Sequence, residues 1–235
     1  MISVVVEKKN IGEDGKIIID EKSDVNHLKN VFRIKIGDII RAVDGEKEYF
    51  TEVMEIESKK IKVNIKSVEE DRYSSSIKID AAIGILKNDK MDLLIQKLTE
   101  IGINKIIPIS SKRTVVKLSE KKDKWDTISK EALKQCQGVK FMEIAELTKL
   151  GNINYSDYDL IVVPYESEEE TKIFTVFEKE PKRVLYVIGP EGGFEKEEIE
   201  FLKEKGAVIV TLGKRILRAE TAAIVAGGIL ANGFN

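Results

Sequence analysis

The stretch Val187-Ile188-Gly189-Pro190-Glu191-Gly192-Gly193-Phe194 decides how this chain is read. An apolar run ends in glycines grouped around one proline, the signature of a strand entering a tight turn with exposed backbone. Glu195-Lys196-Glu197-Glu198 then open a helix, and their carboxylates suit its positive end. The turn matches neither G-x-G-x-x-G nor G-x-x-x-x-G-K-[ST], so the dinucleotide and P-loop fingerprints are both unmet. Acidic residues at the helix start would also repel a phosphate. A ligand held here is expected to offer hydrogen-bonding groups or positive charge, although a purely structural turn fits the same residues.

Outward from this turn, strand and helix patterns alternate. Residues 77–86, 105–109, 141–147, 160–164, 184–188 and 207–212 read as strands. Met91, Leu94, Ile95, Leu98 and Ile101 mark a helix closed by Gly102. Residues 125–137 form another, and further helices start near Thr171, Glu195 and Ala219. This alternation predicts an open, mostly parallel α/β sheet. Its ligands collect at the carboxyl ends of strands, which singles out Pro164-Tyr165-Glu166, residues 189–194 and residues 213–221. Upstream of a polar linker at residues 69–76 the pattern is all-β. Short runs at 2–7, 16–19, 38–43, 48–56 and 61–68 suggest a small barrel. A short helix at 24–32 interrupts them, with Asp24 as its cap and Val25, Leu28, Val31 and Phe32 on one face.

The scarce residues exclude several chemistries. With one cysteine (Cys136), one histidine (His27) and a helical context for the former, there is no disulfide framework, Cys-rich zinc site or zincin pair. Cys136 reads as an inert packing residue and His27 as structural. No signal-peptide pattern or run of about 18 apolar residues is present, so a soluble, cytoplasmic protein is expected. The net charge of −2 hides a local surplus. Residues 105–140 carry ten basic and four acidic residues, a field that can attract phosphates unless it is simply a solvated lysine-rich face.

The second informative loop is Leu212-Gly213-Lys214-Arg215-Ile216-Leu217-Arg218-Ala219-Glu220-Thr221-Ala222. Its arginines could salt-bridge a helix start, but cations there oppose the helix dipole and favour a functional reason. Residues 222–231 continue as an almost uncharged helix rich in Ala and Gly, expected to be buried. Its small residues admit close backbone approach.

The pair of loops, Ile188 to Phe194 and Leu212 to Ala222, resembles the RsmE family, the 16S ribosomal RNA uridine-N3 methyltransferases of the SPOUT superfamily. The resemblance continues through Asn26-His27-Leu28, Val31-Phe32-Arg33, Gly37-Asp38, Lys87 to Met91, Gln96 to Gly102, and Pro108 with Arg113-Thr114-Val115. Where that family has Gly-Arg, this chain has Gly138-Val139, with Lys140 the nearest cation. The resemblance implies a PUA-like RNA-binding β-barrel at residues 1–72. At 73–235 it implies an α/β SPOUT methyltransferase domain whose mostly parallel sheet carries a C-terminal trefoil knot.

It further implies S-adenosyl-L-methionine (SAM) as methyl donor, held by three loops. These are Val163, Pro164, Tyr165 and Glu166; Ile188, Gly189, Pro190, Glu191, Gly192 and Gly193; and Leu212, Gly213, Arg215, Ile216, Leu217, Thr221 and Ala222. Glu191 and Glu195 would suit the sulfonium cation. The implied substrate is 16S rRNA in the 30S subunit, methylated on N3 of the uridine at position 1498 in standard numbering. N3–H is weakly acidic, so its proton must leave while O2 and O4 accept charge. Arg218, with Arg215 beside it, suits the oxygens, and Glu220 suits a base or an anchor for an arginine. Arg33, Lys35, Lys112, Arg113 and Lys117 are the expected RNA contacts. A homodimer, with no metal and no membrane, completes the expectation. A non-catalytic ribosome-assembly factor of the same fold is the alternative, and a Rossmann-type nucleotide enzyme a weaker one.

Overall fold

The computed structural model describes residues 1–87, 89–116, 118 and 120–234. It divides into two units, Met1–Ser74 with Leu133–Lys140, and Ser75–Ala132 with Phe141–Asn235. The segment Leu133–Lys140 thus belongs with the first unit despite its distance in sequence.

The first unit is built on β1 (Ser3–Val5), β2 (Lys16–Ile19), α1 (Lys22–Asn26), β3 (Ile39–Val43), β4 (Lys47–Ile56) and β5 (Ile61–Glu70). The strand order is β1-β3-β4-β5-β2, with β1 parallel to β3 and the other pairs antiparallel, so the sheet is small and mixed. The period-two pattern sets its core: in β2, Ile17 and Ile19 are buried while Lys16 and Ile18 face out. They pack with Leu28, Ile40, Val53 and Ile61.

The helix expected at 24–32 is different in kind. α1 ends at Asn26 and a π turn, His27–Val31, follows, with Phe32 N donating to His27 O at 3.1 Å. The wider turn rotates later side chains off the α-helical face. Val25 and Leu28 stay buried, whereas Val31 and Phe32 emerge on the surface. Arg33 closes the turn at φ 52°. Asp24 is no cap; it lies within α1 and its carboxylate accepts from Lys134 Nζ at 2.5 Å.

One buried ion pair organises this unit. Arg41 Nε on β3 donates to Glu48 Oε2 on β4 at 2.6 Å, and both side chains are almost fully buried. Arg41 Nη2 also donates to the carbonyls of Gln137 and Gly138, at 2.8 and 3.1 Å. Val139, where the resembling family has arginine, is buried with Val43 and Leu133. A charged side chain there would have to leave that cluster. Cys136 is exposed rather than packed, its thiol directed to Leu133 O.

The second unit carries β6 (Lys78–Gly84), α2 (Asp89–Ile101), β7 (Lys105–Ser110), most of α3 (Lys124–Cys136, whose residues from Leu133 on belong to the first unit), β8 (Glu143–Ile144), β9 (Thr148–Lys149), β10 (Leu160–Pro164), β11 (Arg183–Ile188), α4 (Lys196–Glu204), β12 (Val208–Val210) and α5 (Ala219–Gly233). The sheet order is β12-β10-β11-β6-β7-β8, with β9 also on β7, and every pairing is parallel. Alternation along β11 assigns the faces. Val184, Tyr186 and Ile188 pack with α2 and α5; Leu185 and Val187 pack with Ile199 and Leu202 of α4. Both faces are covered, as a parallel sheet requires.

Two expected elements shrink. The strand at 141–147 reduces to β8, which pairs with β7 over two residues, and β9 follows separately. The helix expected near Thr171 is a 3-10 turn, Ile173–Glu178. Its β-branched and aromatic residues favour helix weakly, and Pro181 prevents extension. α5 is buried on one face only, at Ala223, Ala226, Gly227 and Leu230, rather than all round. No helix among the described residues is long and apolar enough to cross a membrane.

Removing one member of the Arg41–Glu48 pair strands the other charge in the core. Arg41→Ala is expected to cost about 3–5 kcal/mol in urea unfolding. The double change Arg41→Met with Glu48→Leu should recover most of that loss. A double variant as unstable as the single one would count against the pair as the cause.

Candidate active site

Backbone meets backbone where β6 and β11 end. A Cβ added at Gly84 would lie 2.3 Å from Pro190 N and 2.7 Å from Gly189 C, so only glycine at residue 84 admits the 189–193 turn. The turn is held from other sides as well. Gly193, at φ +71°, lies close over Glu166, whose Oε1 would be 2.8 Å from an added Cβ. Arg113 Nη1 donates to Gly192 O at 3.0 Å while its Nε donates to Glu195 Oε1 at 2.7 Å. The hydrogen bond it donates to Glu195 holds the Arg113 guanidinium above its ordinary pKa. Glu198 accepts from Glu195 N and from Lys112 N, which ties the loop after β7 to the start of α4.

This turn forms one wall of a cleft of about 970 Å³ at the carboxyl ends of β10, β11 and β12. The expected residues of the three loops line it, Arg218 and Glu220 included, with two exceptions. Val163 is fully buried within the sheet, and Thr221 is exposed off the cleft. Glu195 is absent from the lining and is occupied by Arg113.

Glu220 is held, but not by an arginine. Lys90, in the first turn of α2, places Nζ 2.9 Å from Glu191 Oε1 and 3.6 Å from Glu220 Oε1. The hydrogen bond that Lys90 donates to Glu191, with the charge of Glu220 adding to it, raises the Lys90 pKa. Glu220 Oε2 is buried with no hydrogen-bond partner among the described residues. Sequence reasoning missed Lys90 and Gly84 as site residues, although Lys90 lies in the tract that carried the family resemblance. Phe174, also unforeseen, lines the cleft with 62% of its surface exposed.

The cations sort into two classes. Most of the basic surplus at 105–140 is paired internally: Lys105 with Glu143, Lys112 with Glu197, Arg113 with Glu195, Lys121 with Asp126, Lys124 with Asp92, Lys134 with Asp24 and Lys140 with Asp71. Lys117 lies outside the described residues. By contrast Lys214, Arg215 and Arg218 are exposed at the cleft, and among the described residues none has an ion-pair or hydrogen-bond partner on its side chain. The helix-start salt bridges conceivable for the two arginines are therefore not made there. Among the described residues no group of three or more His, Cys, Asp or Glu is placed to hold a metal ion.

The profile of an RNA methyltransferase domain matches residues 73–231, and that of an RNA methyltransferase PUA domain matches 19–66. The chain is 33% identical over 217 residues to the ribosomal RNA small subunit methyltransferase E of Bacillus subtilis, covering 86% of this chain and 85% of that one. It is 36% identical over 208 residues to the protein of the same name from Mesomycoplasma hyopneumoniae, covering 85% and 87%. A methyltransferase structure from Legionella pneumophila, in complex with the bound cofactor SAM, superposes with a TM-score of 0.83 at 28% identity, covering 98% and 97%. The chain is an RNA methyltransferase by fold and domain. It belongs to the ribosomal RNA small subunit methyltransferase E family.

The cleft suits SAM on its own chemistry. Glycine backbone admits close approach of a flat, uncharged ring, and the lining carries both carboxylates (Glu166, Glu191, Glu220) and cations (Lys214, Arg215, Arg218), which suits a ligand bearing charges of both signs. Gly84→Ala should displace the turn at a cost of about 1–3 kcal/mol. Taken from binding, this weakens SAM by roughly 10-fold or more in calorimetric titration, with far-UV dichroism retained. Unchanged affinity would show that the turn tolerates displacement.

Proposed function

We infer that this protein methylates N3 of a uridine in 16S rRNA of the small ribosomal subunit, using SAM. The observation that carries the reading is the pairing, in one cleft, of an unpartnered carboxylate oxygen, Glu220 Oε2, with unpaired cations at Arg215 and Arg218. When bound, SAM supplies an electrophilic methyl group on sulfur and departs as the neutral thioether. The Glu220 carboxylate, one of whose oxygens has no donor, takes the N3 proton, which leaves the N3 electron pair free to form the new N–C bond. Arg218 offsets charge that builds on O2 or O4. Lys90 fixes the other oxygen of Glu220 and links it to the glycine turn through Glu191.

Three finer features belong to the same reading. The first unit is a PUA-like barrel, as its enclosed core of alternating residues supports, with Arg33 and Lys35 contacting RNA. The second unit is a SPOUT trefoil knot. In support, the chain passes from β12 at the sheet edge back to α5, which packs on α2, β6 and β11. The protein acts as a cytoplasmic homodimer. Here α5 offers support: Gly227 sits over the Tyr186 hydroxyl, where a Cβ would lie 2.9 Å away, but Gly228 has nothing within 4 Å. Glycine in a helix costs about 1 kcal/mol, and for Gly228 no close packing among the described residues offsets that cost. A second copy packed on the half-exposed face of α5 would. Native mass spectrometry should show a dimer; only a 26.5 kDa species would sink it.

The activity is tested by nucleoside mass spectrometry of unmethylated 30S subunits incubated with protein and SAM. We expect 3-methyluridine, with kcat lowered on the order of 100-fold in Glu220→Gln and in Arg218→Ala. Lys90→Met should lower kcat by less than Glu220→Gln does. Bound SAM without any methylated nucleoside would favour an assembly factor, and a different methylated nucleoside would overturn the uridine-N3 assignment.

A further inference from the structure

The π turn at His27–Val31 turns apolar side chains outward where an α-helix would have buried them. Val31, Phe32, Ile36 and Ile39 are exposed by 67%, 47%, 70% and 48%, all within nine residues of chain. Scattered exposed apolar residues need no explanation, but four in so short a segment do. Phe32 is moreover ordered by a neighbour. The His27 ring lies parallel to it, at a centroid distance of 4.8 Å and an interplanar angle of 9°. With one ring face covered by His27 and almost half of Phe32 exposed, the opposite face is the open one.

Charge says what would cover it. Arg33 and Lys35 flank the ring in sequence, both are exposed, and neither side chain has a partner among the described residues. Nearby acids are engaged: Asp24 binds Lys134, and Asp38 Oδ2 accepts from Lys35 N at 2.7 Å. Arg33 also holds a left-handed backbone conformation, φ 52°, which a non-glycine residue adopts at a cost. An open aromatic face beside two free cations is the combination that binds an unpaired base and its phosphates. A protein partner would be served by the apolar residues but would leave both cations without a purpose.

We propose that Phe32, backed by His27, is a stacking platform for one unpaired base of the RNA substrate, with Arg33 and Lys35 on the adjoining phosphates. The proposal rests on the RNA-modifying function inferred above and adds a subsite for a base, apart from the one that is methylated. Stacking and phosphate contact respond differently to salt, since only the second releases counterions.

The test uses the full-length protein with Phe32→Ala, Phe32→Leu and Phe32→Trp. Binding is read directly by quenching of 2-aminopurine in a single-stranded oligoribonucleotide, and turnover by methylation of 30S subunits. Phe32→Ala and Phe32→Leu should abolish quenching and raise KM for subunits by about 10-fold. The effect should sit in KM rather than kcat and leave SAM affinity in place, and Phe32→Trp should restore both readouts. Arg33→Gln with Lys35→Gln should flatten the salt dependence of KM, which Phe32→Ala should not. Leucine as good as phenylalanine, or dissociation of a dimer in Phe32→Ala, would overturn the proposal in favour of an apolar protein contact. Absence of quenching by the unaltered protein would also overturn it. Quenching without 3-methyluridine would instead overturn the uridine-N3 assignment alone.

Discussion

The site depends on one close approach, that of the Gly84 backbone to Gly189 and Pro190. Parallel strands β6 and β11 are paired to their ends, Ile83 opposite Ile188, so the turn after β11 must fold directly over the last residue of β6. Any side chain at residue 84 would occupy the place of Pro190. Once the turn is seated, its other contacts follow. Glu166 comes under Gly193, Arg113 reaches Gly192 O, and Lys90 reaches Glu191. The wall of the cleft is thus assembled from the ends of several elements, and its precision comes from the sheet rather than from the loop.

Electrostatics then separate what builds the protein from what faces a substrate. Exposed ion pairs contribute little stability individually, so, apart from the largely buried Lys134–Asp24 pair, the pairing of the 105–140 cations is not a strong argument about folding. Its consequence lies elsewhere: those charges are spent, and their field is largely cancelled at short range. Arg33, Lys35, Lys214, Arg215 and Arg218 are among the cations left without an ion-pair partner among the described residues. A summed charge could not make that distinction, because it weighs Lys124 beside Asp92 and Arg218 beside the cleft alike.

Much of the architecture was legible because period decides it. The α2 pattern of Met91, Leu94, Ile95 and Leu98 is buried as spaced, and β2, β10 and β11 fall where their apolar runs lie. Failures came where local geometry departs from the two regular periods. A π turn carries Val31 and Phe32 away from a face that 3.6-residue spacing assigns to them. Ile173–Glu178 has helical spacing but β-branched residues and a following proline. In the site, the three loops were legible from glycine and charge. Lys90 and Gly84 were not, because each acts on a partner about a hundred residues away and carries no local mark of it. The family signature near Gly138 was legible as a departure, and its reason, burial of Val139, required the packing.

The carboxylates at the two ends of the parallel sheet are matched in opposite ways, although Arg183 Nε beside Asp80 is itself buried without a hydrogen-bond partner among the described residues. At the amino ends, Asp80 is fully buried and accepts from Asn104 Nδ2 at 2.6 Å, Tyr158 OH at 2.9 Å and Arg183 Nη2 at 3.0 Å. Burial, with Asp80 adding to it, pushes the Tyr158 hydroxyl well above its ordinary pKa, so it stays a donor. Such a network is worth keeping only when its central charge is matched, since a stranded carboxylate there would cost several kcal/mol, about 3–5 by analogy with broken buried pairs. At the carboxyl ends the opposite holds. Glu220 Oε2 is buried and unmatched, and three cations on the loop into α5 stand without partners. A fold that satisfies Asp80 from three elements can tolerate an unsatisfied oxygen at its other end. The role proposed for Glu220 draws on that imbalance, because a carboxylate already saturated with donors would have no acceptor left for the proton of a substrate.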